Sequence, residues 1–232
     1  MKFHVFHTDN MTSYPWGAKI LEDQKKVCDH LGIELEYVTA PYVNFAQAGN
    51  DHGRIVTEVI RDSEGVICFL DLDCLPYDVE ELQRVHDWVE ENESFAGNAQ
   101  NISHIPEVRE KIFAAPSMLM VHKNAWLKLG SPDMAQVHRP QDDAVYIDVA
   151  QQLTLNAREE GFDFRLLYPE GCDYIKWQTN IHGYNLTLGV GTKYPGSWHY
   201  FQGSINITDD KIWDMRVQEI LSDQRITPYN IF

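Results

Sequence analysis

The first hundred residues alternate between short apolar runs and segments in which apolar side chains recur every three or four positions. Runs of the first kind predict β-strands, and segments of the second kind predict amphipathic helices. The predicted strands cover residues 3–8, 33–38 and 65–70. The predicted helices cover residues 17–31, 51–62 and 79–89. Because strand and helix alternate, we expect a mostly parallel sheet with helices on both faces.

The run at residues 65–70 is apolar without interruption. A continuous apolar run of this length predicts a central strand that is covered on both faces of the sheet. Ligands bind to such sheets outside the carboxyl ends of the strands. Functional residues are therefore expected directly after the predicted strands.

The second half of the chain has a less regular pattern. Its predicted strands cover residues 94–99, 112–121 and 164–168. Its predicted helices cover residues 123–129 and 143–160, with a last helix after residues 209–210. Residues 173–208 are rich in Gly, Asn, Thr and aromatic residues and are predicted to be rich in loops. Since no repeat or Gly/Ser linker divides the chain, we expect a single α/β domain over residues 1–232.

Charge and composition exclude several classes of protein. The chain has 19 basic and 35 acidic residues and a formal net charge of −16, and no run of Lys or Arg offsets it. Nucleic acid is therefore not an expected partner. No apolar stretch approaches the roughly 18 residues of a membrane span, and no secretory signal is visible at the N-terminus. We expect a cytoplasmic protein whose four cysteines are buried and reduced.

The strongest local signal lies directly after the predicted central strand. Asp71 and Asp73 are two positions apart, so in an extended segment their side chains project on the same side. Two neighbouring carboxylates repel each other unless a cation lies between them, and Mg²⁺ and Mn²⁺ prefer carboxylate oxygens. Such a metal can hold a diphosphate leaving group. The alternative is a pair of solvated turn aspartates, one of which caps the helix that follows Tyr77.

A strand followed by Asp-x-Asp after two βα units resembles the GT-A nucleotide-sugar glycosyltransferases. The small residues, strand and short helix of residues 113–130 resemble the segment that contacts the donor sugar in that family, and residues 97–100 lie where the preceding strand is expected. Asp142 and Asp143 resemble the acidic pair near the acceptor or the donor sugar. Residues 198–203 resemble the His-Phe-x-Gly element of glycogenin-like retaining members.

The resemblance implies a single GT-A-like, Rossmann-like domain. It also implies transfer of a sugar from a nucleoside-diphosphate donor to an acceptor hydroxyl, with a UDP-sugar as the donor that is usual in the family. The acceptor is a glycan, a protein or a small molecule. Residues 1–100 form the nucleotide-binding half, which carries the Asp-x-Asp, and residues 101–232 form the sugar and acceptor half. Asp71, Asp73 and His199 hold Mn²⁺ or Mg²⁺, with His182 as the competitor for the histidine position.

Further candidates for binding the donor follow other predicted elements. The resemblance places Thr8 and Asp9 near the base and ribose, although both are also common turn residues. It places Ser117 in the segment that contacts the donor sugar. Residues 50–54 are predicted to be a loop-to-helix transition, where amides at the helix start and Arg54 meet phosphate or ribose.

The catalytic candidates are Asp142 and Asp143, which also admit an N-cap interpretation. One of them is the general base in an inverting enzyme, or it stabilises positive charge on the sugar in a retaining enzyme. The sequence leaves both possibilities open. Two other functions remain: a sugar nucleotidyltransferase, whose usual Gly-rich N-terminal loop is absent from residues 7–10, and a non-catalytic carbohydrate-binding protein.

Overall fold

A computed structural model describes residues 1–13, 15–101, 112–138, 145–181, 184–200 and 210–232. Its strands are β1 (Lys2–Thr8), β2 (Glu34–Ala40), β3 (Val66–Leu70), β4 (Cys74–Pro76), β5 (Phe95–Asn101), β6 (Ile112–His122), β7 (Val137–His138), β8 (Val145–Ile147), β9 (Arg165–Leu167), β10 (Gly171–Ile181), β11 (Tyr184–Tyr194), β12 (Ser197–His199) and β13 (Asn230–Ile231). Its α-helices are α1 (Pro15–His30), α2 (Phe45–Asp62), α3 (Val79–Glu91), α4 (Lys123–Lys128), α5 (Gln151–Glu159) and α6 (Asp210–Leu221). A short 3₁₀-helix, Asp9–Ser13, follows β1.

The main sheet has the strand order β2-β1-β3-β6-β5-β9. β1 pairs in parallel with β2 and β3, and β5 pairs in parallel with β9. Only β6 runs antiparallel, between β3 and β5, among the strands that the structure describes in this sheet. The predicted mostly parallel central sheet of an α/β protein is therefore confirmed.

Apolar layers cover both faces of the main sheet, as the uninterrupted run in β3 predicts. Cys68 and Leu70 contribute to a core that also contains apolar side chains of α1, α3 and α6. Ile67 and Phe69 point to the opposite face and pack with side chains of α2, α4 and α5. Successive side chains of a strand alternate between the faces, so the short strand supports both layers.

A second sheet, with the order β13-β10-β11-β12-β4, is antiparallel throughout its described pairs. The prediction of a loop-rich segment at residues 173–208 is wrong for β10 and β11, which form a long hairpin. A Cβ at Gly189 would lie 1.7 Å from the carbonyl oxygen of Tyr174, so this glycine permits close approach of two strands rather than a turn. The aromatic and Thr residues of the segment suit a half-buried sheet.

Two predicted helices have different bounds in the structure. Helix α2 begins at Phe45 rather than at residue 51, because the Asn44 side chain accepts a hydrogen bond from the Gln47 amide and acts as the N-cap. The predicted helix at residues 143–160 is wrong in its first part, since residues 145–147 form β8. The backbone of Ala150 at the start of α5 is left-handed, with φ of 63°, which separates that helix from the preceding strand.

The described residues include six α-helices. None of them combines sufficient length with sufficient hydropathy to cross a bilayer. All four cysteines, at positions 28, 68, 74 and 172, are buried and outside any disulfide.

Candidate metal centre

The two aspartates of the sequence signal form the corner at which the chain leaves one sheet and enters the other. β3 ends at Leu70 in the main sheet, and β4 begins at Cys74 in the second sheet. Between them, Leu72 is 4% exposed and packs into the core beneath the corner. The segment is a turn, closed by a hydrogen bond from the Cys74 amide to the Asp71 carbonyl oxygen at 3.0 Å, rather than the extended segment for which the i, i+2 spacing was predicted to matter. The two aspartates nevertheless have possible ligand atoms within 4.8 Å of each other.

Backbone and side-chain hydrogen bonds fix this corner from several directions. The fully buried side chain of Gln24 in α1 donates from Nε2 to the carbonyl oxygens of Asp71 (2.8 Å) and Cys74 (2.9 Å). The amide of Asp71 donates to the carbonyl oxygen of Ser117 at 3.2 Å. Buried backbone groups are held in place when they are paired in this way. The corner is therefore preorganised before any ligand arrives.

Strand β12 brings His199 to the same place from the far end of the chain. Its residue Trp198 pairs with Leu75, and His199 pairs with Cys74. The Nε2 atom of His199 lies 3.2 Å from Oδ1 of Asp73. Possible ligand atoms of Asp71, Asp73 and His199 all lie within 4.8 Å of one another.

The electrostatics of the cluster favour a bound cation. Burial, and then the neighbouring charge of Asp73, raise the pKa of Asp71 to about 7. His199 opposes this shift, and the charge of Asp148 adds to it. Two carboxylate oxygens and one imidazole nitrogen form a donor set that Mn²⁺ accepts well and that Mg²⁺ accepts through its carboxylates. The chemistry of the residues therefore fits a divalent metal.

His52, on α2, is part of this site although the sequence pattern did not indicate it. Its ring stacks on Phe6 of β1 with a centroid distance of 4.9 Å and an interplanar angle of 12°. Its Nε2 atom lies 3.7 Å from Oδ1 of Asp71. Burial lowers the pKa of His52 to about 4, so the ring is neutral at pH 7. Two imidazoles thus flank the pair of carboxylates, one beside each.

A network of small polar side chains lies behind His199. Ser117 is fully buried and accepts hydrogen bonds from Nε2 of Gln100 (2.9 Å) and Nδ2 of Asn98 (3.3 Å). Asn98 also donates to the hydroxyl of Ser197 at 3.1 Å. Ser117 lies where the register of β5 against β6 shifts, between Gly97 and Asn98 of β5. Irregularities of this kind redirect side chains next to functional sites.

The candidates after β1 shape a local turn. The hydroxyl of Thr8, which is 8% exposed, donates to Oδ1 of Asn10 at 2.6 Å. The carboxylate of Asp9 accepts a hydrogen bond at 2.9 Å from the amide of Tyr42, which lies in the loop between β2 and α2. These contacts match the turn interpretation of both residues. A contact of Thr8 and Asp9 with base or ribose stays a prediction.

The predicted helix start at residues 50–54 is wrong. These residues lie inside α2, which is capped at Asn44, so their amides are used within the helix. The guanidinium of Arg54 is instead 2.8 Å from Glu58 and 3.5 Å from Asp51 on the surface of that helix. The sequence placed the helix start too late because residues 49–54 are polar or glycine and separate the apolar residues at positions 45, 46 and 48 from the regular apolar pattern that begins at position 55.

Asp142, Asp143 and His182 lie outside the described residues, so their roles stay predictions. In the described part of this region, Asp148 follows β8 and accepts hydrogen bonds from Nε2 of Gln136 (3.1 Å) and the amide of Val149 (2.8 Å).

Solved structures of glycosyltransferases are similar to parts of this chain. A glycosyltransferase involved in the glycosylation of the major capsid of PBCV-1 matches 55% of this chain and 62% of its own, with 14% identity and a TM-score of 0.36. A variant of Drosophila β-1,4-galactosyltransferase 7, in complex with manganese, UDP-Gal and xylobiose, matches 71% of this chain and 64% of its own, with 10% identity and a TM-score of 0.42. The apo form of mouse xyloside xylosyltransferase 1 matches 72% of this chain and 86% of its own, with 9% identity and a TM-score of 0.43.

This chain spans less than two thirds of the first two structures. These three structures are glycosyltransferases, the class that the sequence resembles, and they do not confirm the glycogenin-like subtype. No protein-family model and no curated protein matches the sequence. These similarities are partial, and the proposals below depend on the residues of this chain.

Proposed function

We propose that this protein is a metal-dependent glycosyltransferase that moves a sugar from a nucleoside-diphosphate donor to an acceptor hydroxyl. The observation that carries the proposal is the cluster of Asp71, Asp73 and His199, whose ligand atoms lie within 4.8 Å of one another. The cluster follows the carboxyl end of a strand buried on both faces, where ligands bind to sheets of this kind.

A divalent cation held by these three residues supplies positive charge that stabilises a diphosphate leaving group. Mn²⁺ is the better candidate, because an imidazole nitrogen completes the donor set, and Mg²⁺ is the alternative. The cation also explains how a strongly acidic protein can bind an acidic donor. A protein of formal net charge −16 binds an acidic donor only where a local positive charge mediates the contact.

In this proposal the two halves of the chain bind different parts of the substrates. Residues 1–100 bind the nucleotide, with a UDP-sugar as the favoured donor, and Thr8 and Asp9 line the base and ribose. Residues 101–232 bind the sugar and a glycan, protein or small-molecule acceptor. Asp142 or Asp143 contacts the acceptor hydroxyl or the sugar, and Ser117 lies on the donor side. The four buried cysteines outside any disulfide support a cytoplasmic location.

Thermal unfolding with UDP and Mn²⁺ tests the proposal. At a ligand concentration 100 times Kd, binding stabilises the native state by about 2.7 kcal/mol, which raises the Tm of a domain of this size by roughly 5–10 °C. UDP with EDTA is expected to give no increase. Asp73→Asn replaces a carboxylate of the cluster by a neutral amide, which is a weaker metal ligand, so the joint effect of UDP and Mn²⁺ is expected to disappear. Asp62→Asn, at the exposed end of α2, is the matched control and is expected to behave like the wild-type protein.

Hydrolysis of a panel of nucleotide sugars then identifies the donor. Slow release of UDP from one donor, dependent on Mn²⁺ and lost in Asp73→Asn, supports a transferase. Stabilisation by UDP that is equal with and without metal contradicts the mechanism. Formation of a nucleotide sugar from UTP and a sugar phosphate indicates a nucleotidyltransferase instead. Binding of free glycans without any turnover of nucleotide sugars indicates a carbohydrate-binding protein.

A further inference from the structure

Two strands from different sheets place matching pairs of side chains opposite each other behind the metal cluster. On β5, Asn98 and Gln100 are two positions apart and share one side of the strand. On β12, Ser197 and His199 have the same spacing. Asn98 contacts Ser197 at 3.1 Å, and Nε2 of Gln100 lies 3.4 Å from Nδ1 of His199. The amide of Gln100 therefore faces the nitrogen of His199 that points away from Asp73.

The Gln100 amide nitrogen faces Nδ1 of His199 at 3.4 Å, and an amide nitrogen can only donate a hydrogen bond. This arrangement is satisfied by the tautomer in which Nδ1 accepts and Nε2, 3.2 Å from Oδ1 of Asp73, carries the proton. A neutral imidazole with a proton on Nε2 has no lone pair there for a metal ion.

Binding of a cation at Nε2 requires the other neutral tautomer. Nε2 loses its proton and Nδ1 gains one, so the ring stays neutral. Nδ1 then carries a proton, so the Gln100 side chain, whose amide nitrogen lies 3.4 Å away, must present oxygen rather than nitrogen to it. Histidine ligands in metal sites are commonly fixed by an acceptor of this kind on the second ring nitrogen.

We propose that Gln100 is a positioning residue whose amide turns over when a divalent cation binds, so that its oxygen accepts the Nδ1 proton of His199. The inference rests on the metal site of the proposed function. It adds a side chain that touches no substrate and that acts through His199.

Ser117 allows the amide of Gln100 to turn in place. Its hydroxyl now accepts from Nε2 of Gln100 at 2.9 Å and from Asn98 at 3.3 Å. A hydroxyl offers one donor and two acceptor positions. After the turn it donates to the Gln100 oxygen and still accepts from Asn98. Ser117 can thus pair with either the nitrogen or the oxygen of the Gln100 amide at this position.

Two measurements on the full chain test the proposal. Imidazole ¹⁵N NMR of the wild-type protein is expected to show the Nε2–H tautomer of His199 without metal and the Nδ1–H tautomer with Zn²⁺, a diamagnetic ion that binds imidazole nitrogen. The Kd for Mn²⁺, measured from the EPR signal of the free ion, is expected to rise about 10–100-fold in Gln100→Met, which has the length of Gln but no acceptor. Gln100→Glu keeps an acceptor oxygen and is expected to bind Mn²⁺ at least as tightly as the wild-type protein.

A double variant separates a role through His199 from a role in packing. Gln100→Met added to His199→Ala is expected to cause no further loss of Mn²⁺ affinity, because the residue on which Gln100 acts is gone. Gln83→Met, on the exposed face of α3, is the control for the substitution itself. A loss that persists in the His199→Ala background, or an equal loss in Gln100→Glu, overturns the proposal.

The tautomer measurement needs no variant, so it decides the matter even where a substitution prevents folding. Persistence of Nε2–H with bound Zn²⁺, or absence of any metal binding that depends on His199, overturns the inference. Mn²⁺ binding with the expected tautomer but without turnover of any nucleotide sugar contradicts the proposed function and leaves the role of Gln100 intact. Turnover with unaltered Mn²⁺ affinity in Gln100→Met contradicts only the role of Gln100.

Discussion

At the scale of single residues, the two carboxylates of the corner have different partners. Asp73 contacts His199 at 3.2 Å and is 5% exposed. Asp71 has the neutral ring of His52 at 3.7 Å, and the charge of Asp148 raises its pKa further. The ionised form of Asp71 is therefore disfavoured when no cation is bound.

His52 also makes a measurable contribution to the stability of the protein. Burial lowers its pKa to about 4 from the ordinary value of 6.5. Between these values the unfolded chain binds a proton that the native protein does not bind. The free energy of unfolding therefore rises with pH across this window and falls as the pH is lowered from 6.5 to 4.

Replacing His52 by Phe is expected to remove this acid sensitivity. The phenyl ring keeps the stack on Phe6 and has no group to titrate. The free energy of unfolding of the variant minus that of the wild-type protein is expected to be about 1–2 kcal/mol larger at pH 5 than at pH 8. The raised pKa of Asp71 acts in the opposite direction, but it is common to both proteins.

Urea unfolding of both proteins at pH 5 and pH 8 measures the effect of His52. His30→Phe, near the end of α1 where the ring contacts Asp223, controls for the exchange of an imidazole for a phenyl ring. An equal stability difference at both pH values contradicts a buried, neutral His52.

How far the residues of the site could be predicted depends on where their signal lies. The spacing of Asp71 and Asp73 after a buried strand is local, so the sequence alone indicates it. His199 was identified only through a resemblance, because 126 positions separate it from Asp73. His52 and Gln100 have no local signal at all. Their roles arise from the packing of α2 on β1 and of β5 against β12.

At the scale of elements, α2 approaches the segment before β7 unusually closely. A Cβ at Gly53 would lie 2.3 Å from the Met134 carbonyl oxygen and from the Ala135 Cα. One turn earlier, a Cβ at Gly49 would meet only the side-chain end of Gln136, at 2.0 Å. The same segment supports the start of α5, since the Ala150 amide donates to the Met134 carbonyl oxygen at 3.0 Å.

These two glycines are a matched pair for testing the close approach. Ala is preferred over Gly inside a helix by about 1 kcal/mol. At Gly53 this gain is expected to be outweighed, because backbone atoms must move, and Gly53→Ala is expected to destabilise the protein by about 1–3 kcal/mol. At Gly49 the Gln136 side chain can rotate away, so Gly49→Ala is expected to be neutral or stabilising. Urea unfolding at pH 7 measures both, and equal gains in the two variants contradict the close contact.

The sequence predicted an element correctly where its apolar pattern and the residues at its ends indicated the same structure. Residues 65–70 are apolar throughout and lie between two helices with clear faces, and the structure has β3 there. The predicted helix at residues 143–160 failed because a spacing of four also occurs across a strand and a turn. Helix α5 instead begins after Ala150, whose backbone is left-handed, and the amide of Asp148 before it donates to the side-chain oxygen of Gln151 at 2.9 Å. Periodicity carries no information about such bonds.

At the scale of the whole molecule, the cluster joins the two sheets and lies within a strongly acidic protein. Strand β3 of the main sheet leads through the two aspartates into β4 of the second sheet, where β12 delivers His199. The formal net charge of −16 acts on every ligand that approaches this junction. It attracts a divalent cation and repels a nucleoside diphosphate.

Salt is therefore expected to act in opposite directions on the two ligands. Between about 0.02 M and 0.2 M NaCl the screening length falls from roughly 20 Å to 7 Å. The attraction of Mn²⁺ weakens with it, so the Kd for Mn²⁺ alone is expected to rise a few-fold. The repulsion of UDP in EDTA weakens as well, so its weak binding is expected to strengthen or stay constant. Equilibrium dialysis of each ligand measures both slopes. UDP binding in EDTA that weakens with added salt would indicate a basic phosphate site on the protein itself, and the cation would then not be needed to hold the donor.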